Sequence, residues 1–244
     1  MQAIMTQRQL ARNGRRAFIA ALILSFACGS VWGAEDPGTV AAQRELLEAA
    51  RLTPNASHGS QLFDTCAACH GRDGLGTSDG TVPAIAGQHG SVLLKQLTDF
   101  RHYQRWDERM QHFTDQHHLS TPQDLTDVAA HIARLPRFAP RYNAIGTGQY
   151  LQEGASVYFR VCEDCHRPLG QGDLLRFRPR LAGQHYQYLL KQLDDTASGH
   201  RPAMHPAHVE RLRALSREQR MGIADYLSRM SPDLSSERTT KVSR

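Results

Sequence analysis

The chain has 244 residues, 29 Lys and Arg against 24 Asp and Glu, a formal net charge of +5 and 40% hydrophobic residues. This is room for one or two domains. The basic excess forms no stripe and no aromatic-interleaved groove, so nothing in it argues for a nucleic-acid partner.

Taken in chain order, residues 1–16 are basic and free of acid, and 17–27 are apolar. A basic stretch followed by a short apolar run is the pattern of a secretory signal, and the run falls short of the ~20 residues a membrane-spanning helix needs. The expected signal peptide is 1–33, cleaved near Gly33 or Ala34. The leader holds Arg8, Arg12, Arg15 and Arg16, so its removal leaves 25 basic against 24 acidic residues. Arg15-Arg16 also resembles a twin-arginine signal. Cys28 is the alternative site of a lipid anchor, although the usual leucine three positions earlier is missing. The expected location is periplasmic, with membrane association as the alternative.

Residues 34–55 read as an N-terminal extension. Helices are expected at 57–65, 91–100 and 121–135, and again at 154–161, 186–195 and 217–230, from apolar residues at helical spacing. Ser120 with Gln123, and Ser216 with Gln219, have the spacing of capping boxes, and Pro122 suits a first helical turn. Strand signals are poor, so the fold is all-α. The sequence is also an internal duplication: adding 96 to a residue number in the first half gives its counterpart in the second. Phe63 maps to Phe159, Pro83 to Pro179, Ala86-Gly87-Gln88-His89 to Ala182-Gly183-Gln184-His185, and Arg105 to Arg201. The expected domains are 56–136 and 148–231, joined by a Pro- and Arg-rich linker at 137–147, with a mobile polar tail at 232–244.

Each half contains Cys-x-x-Cys-His: Cys66-Ala67-Ala68-Cys69-His70 and Cys162-Glu163-Asp164-Cys165-His166. Two thiols at this spacing can form thioethers with the two vinyl groups of one haem, and the next histidine then falls under the iron. Zinc-ribbon knuckles usually stand ~15–20 residues apart, much closer than these, and a thioredoxin-type pair needs strands that are absent here. The cofactors expected are therefore two covalently attached haem c groups, with His70 and His166 as proximal iron ligands. Haem is attached to unfolded chains after export, which favours ordinary export over the twin-arginine route. The glycines Gly71, Gly74 and Gly76 lack the strand and the Gly-Lys-Ser/Thr of a phosphate loop and read as tight turns beside the haem edge. Domains of under ~100 residues have thin cores, so neither half is expected to fold stably without haem.

These motifs, with Pro-x-x-Ala-Gly-Gln-His and Leu-Leu-Lys-Gln-Leu, resemble class I cytochromes c in the tandem dihaem form, from about Ala56 to Met230. The resemblance implies two tandem cytochrome c domains, each a small helical bundle around a covalently bound haem. It implies that Gly59 and Phe63 pack the first helix against the closing one. It implies that the Pro83 and Pro179 carbonyls accept the Nδ1 protons of His70 and His166. It also implies a distal methionine in the loop before the closing helix, and here two sets of residues compete. Met110 and Met204 follow family habit but are not repeat partners. His112 and His208 are repeat partners and stand seven residues before Leu119 and Leu215, where the family's methionine usually lies. The function implied is transfer of single electrons between respiratory proteins. The donor would be a dehydrogenase or quinol-oxidising complex, the acceptor a terminal oxidase or reductase. The alternatives are a cytochrome subunit of a periplasmic dehydrogenase, or a dihaem enzyme of peroxidase type. No catalytic side chain is expected.

Overall fold

The structure is a computed structural model that describes residues 36–137 and 145–231. The signal at 1–33 with Cys28, most of the linker and the tail at 232–244 lie outside the described residues. From Pro37 onward the chain forms one unit, and among the described residues it is all-α, with a single isolated bridge between Asp173 and Arg178.

The first half contains α1 (Pro37–Ala49), α2 (Ala56–His70), α3 (Gly90–Arg101), α4 (Glu108–Thr114) and α5 (Pro122–Arg134). The Asn55 side chain caps α2 by accepting from the Ser57 and His58 amides, and the helix runs beyond the expected 57–65, through the cysteine motif to His70. The cap of α5 is one residue later than the sequence suggested. Thr121, not Ser120, accepts from the Asp124 amide, and the Asp124 carboxylate accepts from the Thr121 amide in return. Pro122 therefore opens the helix, where its missing N–H is no loss. Helix α1 was not foreseen. It docks through buried Ala42 and Ala49, through Glu45 paired with Arg101 and His102, and through the Ala49 carbonyl accepting from Thr126.

The second half contains α6 (Leu151–Val157), a π turn (Tyr158–Cys162), α7 (Glu163–His166), α8 (Tyr186–Ser198), α9 (Pro206–Arg213) and α10 (Arg217–Arg229). The Ser216–Gln219 box at the start of α10 is present in full. In both halves the cysteine-bearing segment and the closing helix cross at glycine: Gly59 of α2 lies against the Asp127–Val128 backbone of α5, and Gly154 of α6 against Gly222 of α10. The expected pairing of Phe63 with Phe159 is corrected. Phe63 is 4% exposed, but Phe159 is 50% exposed and Tyr158 is fully buried in its place. Seven steps separate Gly59 from Cys66, whereas eight separate Gly154 from Cys162. The helix absorbs the extra residue as a π turn, which rotates Tyr158 inward and brings Cys162 back into register.

Each half has its own apolar core. Phe63, Leu93, Leu94, Leu125, Val128 and Ile132 build the first, and Val157, Tyr158, Leu189, Leu212, Ile223 and Leu227 the second. The halves are joined by reciprocal polar bonds that follow the repeat. Gln88 donates to the Arg180 carbonyl (3.0 Å) and accepts from its amide (2.9 Å). Gln184 does the same to Ala84, which is Arg180's repeat partner (2.6 and 3.1 Å). His89 Nε2 donates to the Gln171 carbonyl (2.9 Å), and His185 Nε2 to the equivalent Leu75 carbonyl (2.8 Å). The arrangement is a twofold contact made within one chain.

Candidate functional site

Helix α2 delivers Cys66, Cys69 and His70 on one face, because residues three and four apart are neighbours on a helix. Cys66 packs against the first core and Cys162 against the second, and all four cysteines of the motifs are free thiols. Burial pushes the thiols of Cys66 and Cys162 up to about 11 in the bare chain. His70 is 6% exposed and His166 8%. The Nδ1 of His70 lies 3.0 Å from the Pro83 carbonyl, and that of His166 lies 3.2 Å from the Pro179 carbonyl. A carbonyl can only accept, so Nδ1 donates and Nε2 keeps its lone pair for a metal. Burial holds His70 below the ordinary histidine range and His166 at about 4, so both rings are neutral at physiological pH.

The loops that supply these carbonyls need glycine. Gly76 has φ +76° and Gly172 φ +70°, and a Cβ at either would collide with the carbonyl of the adjacent proline. The Gly76 amide donates to the His70 carbonyl (2.8 Å) and that of Gly172 to the His166 carbonyl (3.0 Å), which closes each loop over its histidine. Ala84 and Arg180, held by the opposite half's glutamine, directly follow these prolines. Each half therefore braces the segment that orients the other half's proximal histidine.

The four distal candidates are placed unequally. His112 stands on the outer side of α4 with its side chain 62% exposed. Its ring packs edge-on against Phe113 and His118 and belongs to a surface group with Asp115 and His118. Met110, on the same helix, is half-buried, and its neighbours Asp107 and Arg109 act electrostatically on His70. In the second half His208 sits in the first turn of α9, with its ring centroid 6.3 Å from that of His166. Met204 lies in the preceding turn, where its amide donates to the Arg201 carbonyl.

Cationic side chains gather where the halves meet. Arg105 is 7% exposed and donates to Gln96, Tyr188 and Gln192. Arg201 donates to Gln96 (2.9 Å), and burial with the nearby Arg105 lowers it to about 10. The Nε atoms of Arg180 and Arg201 are buried without a partner. Asp99 is the buried carboxylate nearby, and it already pairs with Lys95 (2.5 Å). Buried guanidinium donors in excess of carboxylates fit a cofactor that brings its own carboxylates, as haem does with its propionates. Sequence reading noted Arg105 and Arg201 as repeat partners in a loop that adds to the family resemblance, and gave them no role. Their signal was a repeated arginine in a domain too small to bury a charge without reason.

This geometry is that of a c-type cytochrome with two haem-binding domains. The chain belongs to the cytochrome c family, whose model matches residues 56–136 and again 151–231. Two such domains carry two covalently bound haem c groups, for which the Cys66/Cys69 and Cys162/Cys165 pairs are the attachment motifs. In particular, the chain is similar to cytochrome c4. The protein of that name from Pseudomonas aeruginosa is 33% identical over 160 residues, 64% of this chain and 78% of that one. The crystal structure of reduced recombinant cytochrome c4 from Pseudomonas stutzeri matches with a TM-score of 0.64 at 26% identity, covering 73% of this chain and 100% of that one. A thiosulfate dehydrogenase electron acceptor of Stutzerimonas stutzeri is 33% identical over 175 residues, 67% of this chain and 77% of that one. The protein is thus a dihaem c-type cytochrome that acts in electron transfer.

Proposed function

We propose that the protein is an exported, periplasmic carrier that moves single electrons from a quinol-oxidising complex or periplasmic dehydrogenase to a terminal oxidase or reductase. The observation that carries this reading is the pair of buried, neutral histidines, each held by a proline carbonyl, in two domains locked together by reciprocal glutamine bonds. The haem irons supply the one-electron couple. The side chains hold the proximal nitrogens in one orientation and bury them, and Arg105, Arg180 and Arg201 would offer donors to the carboxylates of the bound group. Rigid, pre-set surroundings suit a centre that changes charge without making bonds in a substrate. No helix among the described residues is long and apolar enough to cross a membrane, and attachment through Cys28 is the membrane-bound alternative.

A spectroscopic redox titration of the purified holoprotein tests the reading, with two haems per chain and fully reversible one-electron steps expected. Rapid stoichiometric binding of cyanide or carbon monoxide at one haem would overturn it in favour of peroxidase-type chemistry. The relative named as a thiosulfate dehydrogenase electron acceptor favours the second of these donors, a periplasmic dehydrogenase acting on a small sulfur anion, over the quinol-oxidising complex. Reduction of the protein by such an enzyme with thiosulfate, measured by stopped flow, separates the two donors.

A further inference from the structure

The duplicated halves do not present the same residue opposite their proximal histidines. In the second half, the ring centroids of His166 and His208 are 6.3 Å apart. Two imidazoles that bind one metal from opposite sides, with metal–nitrogen bonds of about 2 Å, place their centroids about 6 Å apart. His208 Nδ1 is also buried without a hydrogen-bond partner. A buried ring nitrogen left unpaired costs free energy, and this one lies on a ring that faces another imidazole whose Nε2 is free. In the first half the equivalent His112 is spent elsewhere, exposed and grouped with Asp115 and His118. Residues two apart on a helix point about 200° apart. An outward His112 on α4, its side chain 62% exposed, therefore turns Met110 inward, where it is half-buried.

We propose that the two irons are ligated unequally: by His70 and Met110 in the first domain, and by His166 and His208 in the second. The assignment rests on haem being bound in both domains. It reconciles family habit with repeat register by giving one domain to each. A thioether raises the potential of a c-type haem relative to imidazole, so the first domain is the higher-potential site and the second the lower.

The test uses the oxidised, full-length holoprotein with its haem content counted by mass, so that loss of haem is distinguished from wrong ligation. The near-infrared sulfur–iron charge-transfer band should have the intensity of one sulfur-ligated iron per two haems. Met110→Leu should abolish it, Met204→Leu should leave it unchanged, and His208→Met should about double it and raise the lower of the two potentials. A wild-type band worth two irons, no band at all, or its loss in Met204→Leu would overturn the assignment. If Met110→Leu fails to assemble, the wild-type intensity and the indifference of Met204→Leu decide the matter alone.

Discussion

At the scale of single residues, Asp127 shows how a buried carboxylate is made tolerable. It is 1% exposed and accepts from the Asn55 amide (2.7 Å), Gln123 (2.7 Å) and His58 (2.9 Å). Burial alone would raise its carboxyl, but these donors outweigh burial and hold it below the ordinary 3.8. A carboxyl depressed in the folded state stabilises above its unfolded value, and that stability fades as the pH falls through the folded one. Unfolding midpoints of the holoprotein should therefore drop as the pH falls below about 4. Asp127→Asn should flatten this part of the profile and cost about 1–3 kcal/mol at neutral pH. The same scale shows what could be read without a structure. The attachment cysteines and proximal histidines stand out because the chemistry demands adjacent residues. The arginines between the halves do not, because their unpaired nitrogens exist only once the chain is folded.

Among the helices, the sequence was most informative where periodicity and caps agree, as in α10 with its Ser216–Gln219 box. It was least informative for α1, α4 and α9. Helices α4 and α9 have 7 and 8 residues, too short to show a period. Helix α1 has weak apolar patterning and is fixed by tertiary ion pairs. At α5, Ser120 and Thr121 compete as caps, and Thr121 wins because it leaves Pro122 at the first helical position and has Asp124 to complete the box. The π turn is a single-residue insertion that the gapless repeat concealed. It also makes the glycine crossing testable. Gly154→Ala would drive a methyl group into the Gly222 backbone. Overpacking of this kind costs about 1–3 kcal/mol or more, so the melting temperature should fall markedly. Deleting Phe159 would remove the extra residue, and circular dichroism of the holoprotein should show its helix content retained.

For the whole molecule, two small cores imply dependence on the cofactor. Replacing Cys66 and Cys69 by Ala should leave a chain with one haem, whose first half is open to proteolysis while the second stays resistant. The glutamine bonds couple the halves. Gln88→Ala with Gln184→Ala removes four hydrogen bonds across the join, each worth about 0.5–1.5 kcal/mol, and calorimetry should then resolve one unfolding transition into two. The tandem organisation was legible in the duplicated motifs. How the halves face each other was not, because Gln88 and His89 look like any polar loop until Arg180 and Gln171 are brought against them.

The twofold character of that contact has a consequence for the severed parts. A first half cut away from its companion keeps both the reaching side chains, Gln88 and His89, and the backbone groups of Ala84 and Leu75 that receive such side chains from across the join. It is therefore self-complementary. Haem-loaded fragments of this half should pair with their own copies at high concentration, a homodimer standing in for the covalent tandem.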